Sequence, residues 1–171
     1  MTYNENILAK NQQLLSYALA RHAKVLLVRF DVRYPDGYLA PEGNALFITF
    51  MERYIRYLSR KRYSPLYLWC RERANSSNPH YHVYLLLDGT RLQKMPNLYK
   101  AEEIWQRQLE LEIDYTRRLL YYCNYPGSII LRNDQQKSIE TLNYLAYLAK
   151  EVTKEQLPGV RNWGSSYIPA N

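Results

Sequence analysis

Cysteine is scarce in this sequence: Cys70 and Cys123 lie far apart and form no Cys-x-x-Cys pair. Two buried thiols are the expectation, because disulfides are rare in the cytosol. No run of about 18 apolar residues occurs, so no transmembrane helix is expected and no membrane partner. The opening MTYNENILAKNQQLL has no basic-then-apolar leader pattern, and the expected location is the cytoplasm. There is no Gly-x-x-x-x-Gly-Lys-Ser/Thr loop, hence no nucleotide-driven motor. Acid is in short supply: 16 Asp and Glu face 23 Lys and Arg, for a net charge of +7. A surface of that sign attracts polyanions, of which nucleic acid is the commonest.

What is present suits one compact domain. The 171 residues are 47% hydrophobic, enough for a real core and too apolar for a disordered chain. Tyrosine is abundant, at 18 residues. Most fill strands and core, but tyrosine also offers flat faces on which unpaired bases stack.

The first 20 residues read as a polar helical extension to a domain spanning residues 21–171. AKVLLVRFDVRY, from Ala23 to Tyr34, starts as an apolar run and then alternates, as a central strand does. Pro41 to Arg62 carries the spacing of an amphipathic helix. Arg53, Arg56, Arg60 and Lys61 lie on its wet side as a phosphate-facing patch. Leu66–Arg73 and His80–Asp88 read as two strands of an antiparallel hairpin. A helix from about Tyr99 to Leu111 follows. Leu119–Asn124 and Ser128–Leu131 read as short strands around Pro126-Gly127, Asp134–Lys154 as one long helix, and the tail from Gly159 as a loop and edge strand. The fold class is α+β: an antiparallel sheet with flanking helices.

The strongest local signal is His80-Tyr81-His82. Side chains alternate along a strand, so both imidazoles point the same way, about 7 Å apart along the backbone. Two of the three histidines make up this pair. On the preceding strand Leu66, Leu68, Cys70 and Glu72 share a face, and a charge ending an apolar face needs a partner or a metal. Glu72, His80 and His82 form a three-ligand set with room for water and a phosphate oxygen. Such N/N/O donors suit Mg²⁺ or Mn²⁺, with Zn²⁺ as the alternative.

The last helix carries Tyr144, Tyr147 and Lys150. At about 100° per residue, Leu142, Leu145, Ala146, Ala149 and Val152 gather on one side and these three fall off it. A rigid helix is a good mount for a nucleophile. A metal on a phosphate oxygen and a nearby lysine would offset the poor nucleophilicity of a phenol, giving a covalent phosphotyrosine.

In order and spacing these segments resemble the HUH endonucleases, and more closely the YagK/YfjJ family of prophage proteins, related to the replication protein of filamentous phages. The matching stretches are WCRERANSSNPHYHVYLLLDG from Trp69, YLAYLAKEVTK from Tyr144, GVRNWGSSY from Gly159, and the strand VRFDVRYP from Val28. The resemblance spans roughly residues 20–168. It implies a single Rep-like domain of ferredoxin or RRM type, with His80, His82 and Glu72 as metal ligands. Tyr147 would be the nucleophile, leading a Tyr-x-x-Lys pattern that ends at Lys150. Tyr144 would be a second nucleophile, although it stands three residues away where the familiar paired arrangement uses four. The implied activity is site-specific nicking and joining of single-stranded DNA for rolling-circle replication, leaving a 5′-phosphotyrosine and a free 3′ hydroxyl. The implied partners are single-stranded or hairpin origin DNA and a helicase and polymerase of the bacterial host. Arg71, Arg73, Arg53, Arg56, Lys154 and Arg161 are the expected DNA contacts. A DNA-binding protein without catalysis, and a metal-dependent hydrolase using water, are the rival readings.

Overall fold

The computed structural model describes residues 3–73, 75–150 and 157–170, with Tyr125 described by its backbone alone. Helix α1 is Glu5–Arg21 and strand β1 is Lys24–Val32. Helix α2, Ala45–Arg60, is followed by β2, Leu66–Glu72, and β3, His80–Asp88. Then come α3, Tyr99–Gln108, β4, Leu120–Leu131, and α4, Gln135–Leu145, which runs into a 3₁₀ turn at Ala146–Ala149. Strand β5, Trp163–Ser165, closes the order. The strands form one antiparallel sheet, β4-β1-β3-β2-β5, so the expected α+β architecture holds. No helix among the described residues is long and apolar enough to cross a membrane.

Strand β1 is apolar because it is central and covered on both faces. Its Leu26, Val28, Phe30 and Val32 meet Phe47, Phe50, Met51, Tyr54 and Leu58 of α2 and Trp105 of α3. Its Val25 and Leu27 point the other way, into a core with Ile7, Leu14, Leu15 and Ala18 of α1 and Leu145, Leu148 and Ala149 of the α4 end. The result is three layers: helices α2 and α3, the sheet, then α1 and α4. By the same alternation Arg29 and Asp31 face the α1/α4 side.

Two strands expected around Pro126-Gly127 are one. Strand β4 runs through them, with a register break against β1 between Val28 and Phe30. An edge strand tolerates proline at a bulge. Gly127, at φ 154°, lies so close to β1 that a Cβ there would overlap the Leu27 carbonyl oxygen.

The last helix is shorter than its sequence pattern suggests. Its final carbonyls find partners outside the helix: Leu145 accepts from the Asn11 side chain at 3.2 Å, Leu148 from the Cys70 thiol at 3.3 Å, and Ala149 from the Asn4 amide at 2.8 Å. These tertiary bonds tighten the chain into the 3₁₀ turn and release it as extended backbone at Lys150. Leu148 is buried in consequence and Ala146 only half so. Val152 lies outside the described residues.

Asn11 is central to this arrangement. It is 1% exposed, and its side-chain oxygen also accepts from the buried Tyr84 hydroxyl at 2.8 Å. Asn11→Ala removes both bonds and deprives a buried hydroxyl of this acceptor. An expected loss of about 2–4 kcal/mol follows, read as a lower urea midpoint at unchanged m-value. A loss under about 1 kcal/mol would deny Asn11 this role.

Candidate functional site

The β2–β3 hairpin sets Glu72 opposite His80 and Cys70 opposite His82. All of these lie on the α1/α4 side of the sheet, and ligand atoms of Glu72, His80 and His82 fall within 4.8 Å of one another. The Glu72 carboxylate Oε2 is 2.9 Å from His82 Nε2 and 3.6 Å from His80 Nε2. The two imidazoles stand perpendicular, with ring centres 5.0 Å apart. Glu72 and His82 are buried, while His80 is half-buried on the open side. This Glu/His/His group could hold a metal ion.

Sequence reasoning missed Asp31. It is the β1 neighbour of His82 across the sheet, and its Oδ1 lies 2.5 Å from His82 Nδ1. One imidazole therefore bridges two carboxylates. Burial works against charge on His82, but hydrogen bonds to Asp31 and Glu72 outweigh it and push the pKa up to about 9. The donor set fits a divalent ion. With Nδ1–H held by Asp31, His82 can present Nε2 to a cation beside Glu72, the carboxylate–histidine–metal arrangement common to such centres.

Arg29 was missed as well. It sits one pleat from Asp31 on the same face, 7% exposed, with its Nε buried and given no hydrogen-bond partner by the described residues. Its guanidinium lies 5.2 Å from the Tyr144 ring centre and 5.3 Å from that of Tyr147. Lys150 Nζ approaches the Tyr147 ring to 4.1 Å. The tyrosines and the histidines thus lie on one face of the sheet, linked through Arg29 and Asp31, two same-face positions of β1. The sequence signal was there: Arg29 and Asp31 are charges in a central strand, where charge needs a partner.

The two tyrosines differ. Tyr144 is half-buried with its hydroxyl 3.2 Å from Cys123 Sγ. Burial and then this hydrogen bond push its pKa up to about 12, against the lowering effect of Arg29. Tyr147 is 49% exposed. It stands on the 3₁₀ turn, not on the helix from which its orientation was first read. Cys70 is buried as expected; Cys123 is only half-buried.

The expected DNA contacts separate. Arg71 is 2% exposed and hydrogen-bonded to the Tyr81 hydroxyl on the far side of the sheet, so it is unavailable to a ligand. Arg53 and Arg56 are exposed on α2, in the layer opposite the histidines. The even spacing of the α2 pattern could show a wet face but not which side of the sheet it would join. Arg73 bonds the Ser77 carbonyl at 2.9 Å in the β2–β3 turn. Arg161 is exposed just before the segment whose Asn162 carbonyl accepts from the Arg71 amide, which places it along the β2 edge. Lys154 lies outside the described residues. A cleft of about 670 Å³ between α1 and Ile168–Ala170, lined among the described residues by neither histidine nor carboxylate, lies apart from this site.

Fold and site together define a basic α+β protein with a Glu/His/His group able to take a metal and a tyrosine turn beside it. The chain belongs to the YagK/YfjJ C-terminal domain family, whose model matches residues 2–166. It is similar to the uncharacterized protein YagK of Escherichia coli (strain K12), at 25% identity over 190 residues covering 94% of this chain and 91% of that protein.

Proposed function

We propose that this protein nicks and rejoins single-stranded DNA through Tyr147, as an HUH-type endonuclease serving rolling-circle replication. The observation that carries the reading is that Glu72, His80 and His82 lie on the same face of the sheet as Arg29, against which Tyr147 and, beyond it, Lys150 pack. The resemblance of the His-Tyr-His strand and the Tyr-x-x-Lys segment to HUH endonucleases supports it.

Glu72, His80 and His82 would hold Mg²⁺ or Mn²⁺. Such an ion, when bound, neutralises a phosphate oxygen and makes its phosphorus more electrophilic. Asp31 fixes the His82 ring. Arg29 and Lys150 bring positive charge to the Tyr147 side, where phosphate charge grows during attack. The Tyr147 oxygen forms a bond to phosphorus as the bond to the 3′ oxygen breaks. The phenol proton leaves to solvent, and the departing 3′ oxygen takes one up. One phosphodiester replaces another, with no redox change, so the 3′ hydroxyl can reverse the step.

The test is a denaturing gel of purified protein with a labelled pool of single-stranded oligonucleotides that includes the origin of its own genetic element. A slow covalent band with Mn²⁺, absent with EDTA, is expected. Cleavage without a protein-linked product would favour the water-using hydrolase. Tight binding with neither cut nor band would favour the non-catalytic binder.

A further inference from the structure

At the free edge of the sheet, β4 and α3 enclose a cleft of about 370 Å³ lined by Asn97, Leu98, Tyr99, Arg118, Leu120, Tyr121 and Tyr122. Tyr122 is half-buried, but the other aromatics are displayed: Tyr99 is 49% exposed, Tyr121 45%, and the nearby Tyr115 58%. Tyr99 and Tyr121 are each paired with an arginine. Arg118 lies 5.5 Å from the Tyr99 ring centre and Arg33 lies 5.7 Å from that of Tyr121. Tyr115 meets Tyr99 edge to face at 6.4 Å. The Tyr121 hydroxyl donates to the Arg118 carbonyl within the β4 side, and the Arg118 side chain over Tyr99 spans to the α3 side. Among the described residues the lining contains a cation and no acid.

The cleft wraps the edge of the sheet: Leu98, Leu120 and Tyr122 pack on the α2/α3 side, and Tyr121 faces the side of the site. Tyr121 is the β1–β4 partner of Asp31, and directly opposed residues of an antiparallel pair share a face. Asp31 in turn holds His82. Arg33, one pleat beyond Asp31, is exposed on that same side. A strand leaving the Glu72/His80/His82 group away from Tyr147 therefore meets Arg33 and Tyr121 next.

We infer that Tyr121, Tyr99, Arg33 and Arg118 form a stacking platform for the unpaired bases that flank the cut. Tyrosine faces accept any base, and the two arginines meet backbone phosphates, the combination that single-strand binders use. Charge complementarity selects the occupant: cations over exposed rings suit a polyanion with π-faces better than an added protein strand. The role beside the cut rests on the nicking reading, but the affinity is measured without it.

The experiment is fluorescence anisotropy of the full chain with a labelled thymidine oligonucleotide in EDTA, so that no cutting occurs. Tyr121→Ala and Tyr99→Ala are each expected to weaken binding by about 5- to 150-fold, while Tyr121→Phe and Tyr99→Phe stay within about twofold of the wild type. Arg33→Ala should flatten the dependence of log affinity on log salt by about 0.7. Thermal melts of each variant check that the fold persists. Unchanged affinity in folded alanine variants overturns the platform, as does equal loss of duplex and single-strand binding, and the β4 edge then becomes a surface for protein. The same variants run in the adduct assay separate the two readings. A band that forms normally with unchanged binding overturns the platform alone. Binding lost in the alanine variants, with no band from the wild type, keeps the platform and overturns nicking.

Discussion

Tyr147→Phe is expected to abolish the covalent band, a fall of about 10³-fold or more, because the substitution deletes the oxygen that, in the proposed reaction, would bond to phosphorus. The change is otherwise small. The ring stays, so its packing against Arg29 and Lys150 persists, and metal and DNA affinity should hold. Tyr144→Phe should behave differently. Its hydroxyl is engaged with Cys123, and burial holds its proton up to about pH 12, so it is poorly placed to attack. A several-fold drop through loss of the hydrogen bond that Arg29 donates to the Tyr144 hydroxyl is expected, with the band still visible. Loss of the band in Tyr144→Phe and its survival in Tyr147→Phe would reassign the nucleophile by one turn. A band that persists in each single variant and vanishes only in the double would establish alternation between the two.

This assignment rests on features that were unequally legible in the sequence. The histidine pair and Glu72 could be placed because the hairpin is local: eight positions of chain and a turn fix their register. Asp31 and Arg29 could not be placed in the same way. They arrive from a strand far away in sequence, and only the order β4-β1-β3 brings Asp31 to His82. Yet their alternation within an apolar strand marked them as charges requiring partners. The tyrosine segment was read as continuous helix because its propensity and spacing are helical. Bonds from Asn4, Asn11 and Cys70 override that propensity, and all three donors come from other elements. Nearness of Tyr147 to Lys150 survived the change, while the shared helical face did not. Arg71, expected as a DNA contact, is buried for a simpler reason. Alternation separated it from Glu72 correctly, but that put it into the α2 core and not onto a surface. The wet face of α2 was legible too, whereas the layer it occupies depended on how the chain crosses the sheet.

The metal-free site should bind Mn²⁺ more tightly by about tenfold per pH unit between pH 6 and pH 8, so about a hundredfold across that range. The sign follows from His82. Its pKa is raised to about 9, so below that pH the ring carries both protons, one toward Asp31 and one toward Glu72. A cation must displace the Nε2 proton, and acid opposes it. The same proton stabilises the metal-free fold: the contribution is full below about 6.5 and is lost as pH rises through about 9. Asp31→Asn sets two consequences against each other. It removes one of the carboxylates that hold the proton, so His82 frees Nε2 at lower pH. It also loses the anionic acceptor that orients the ring and raises its basicity, at a cost of about 10- to 100-fold in metal affinity. Near pH 8 the orientation loss should dominate, and the gap between variant and wild type should narrow toward pH 6. His82→Ala should show little binding at either pH. Titration calorimetry at several pH values measures all three. A flat wild-type profile, or an equal Asp31→Asn loss at every pH, would mean that the bridged imidazole does not govern the metal, and the ion would then have to bind without displacing the His82 proton.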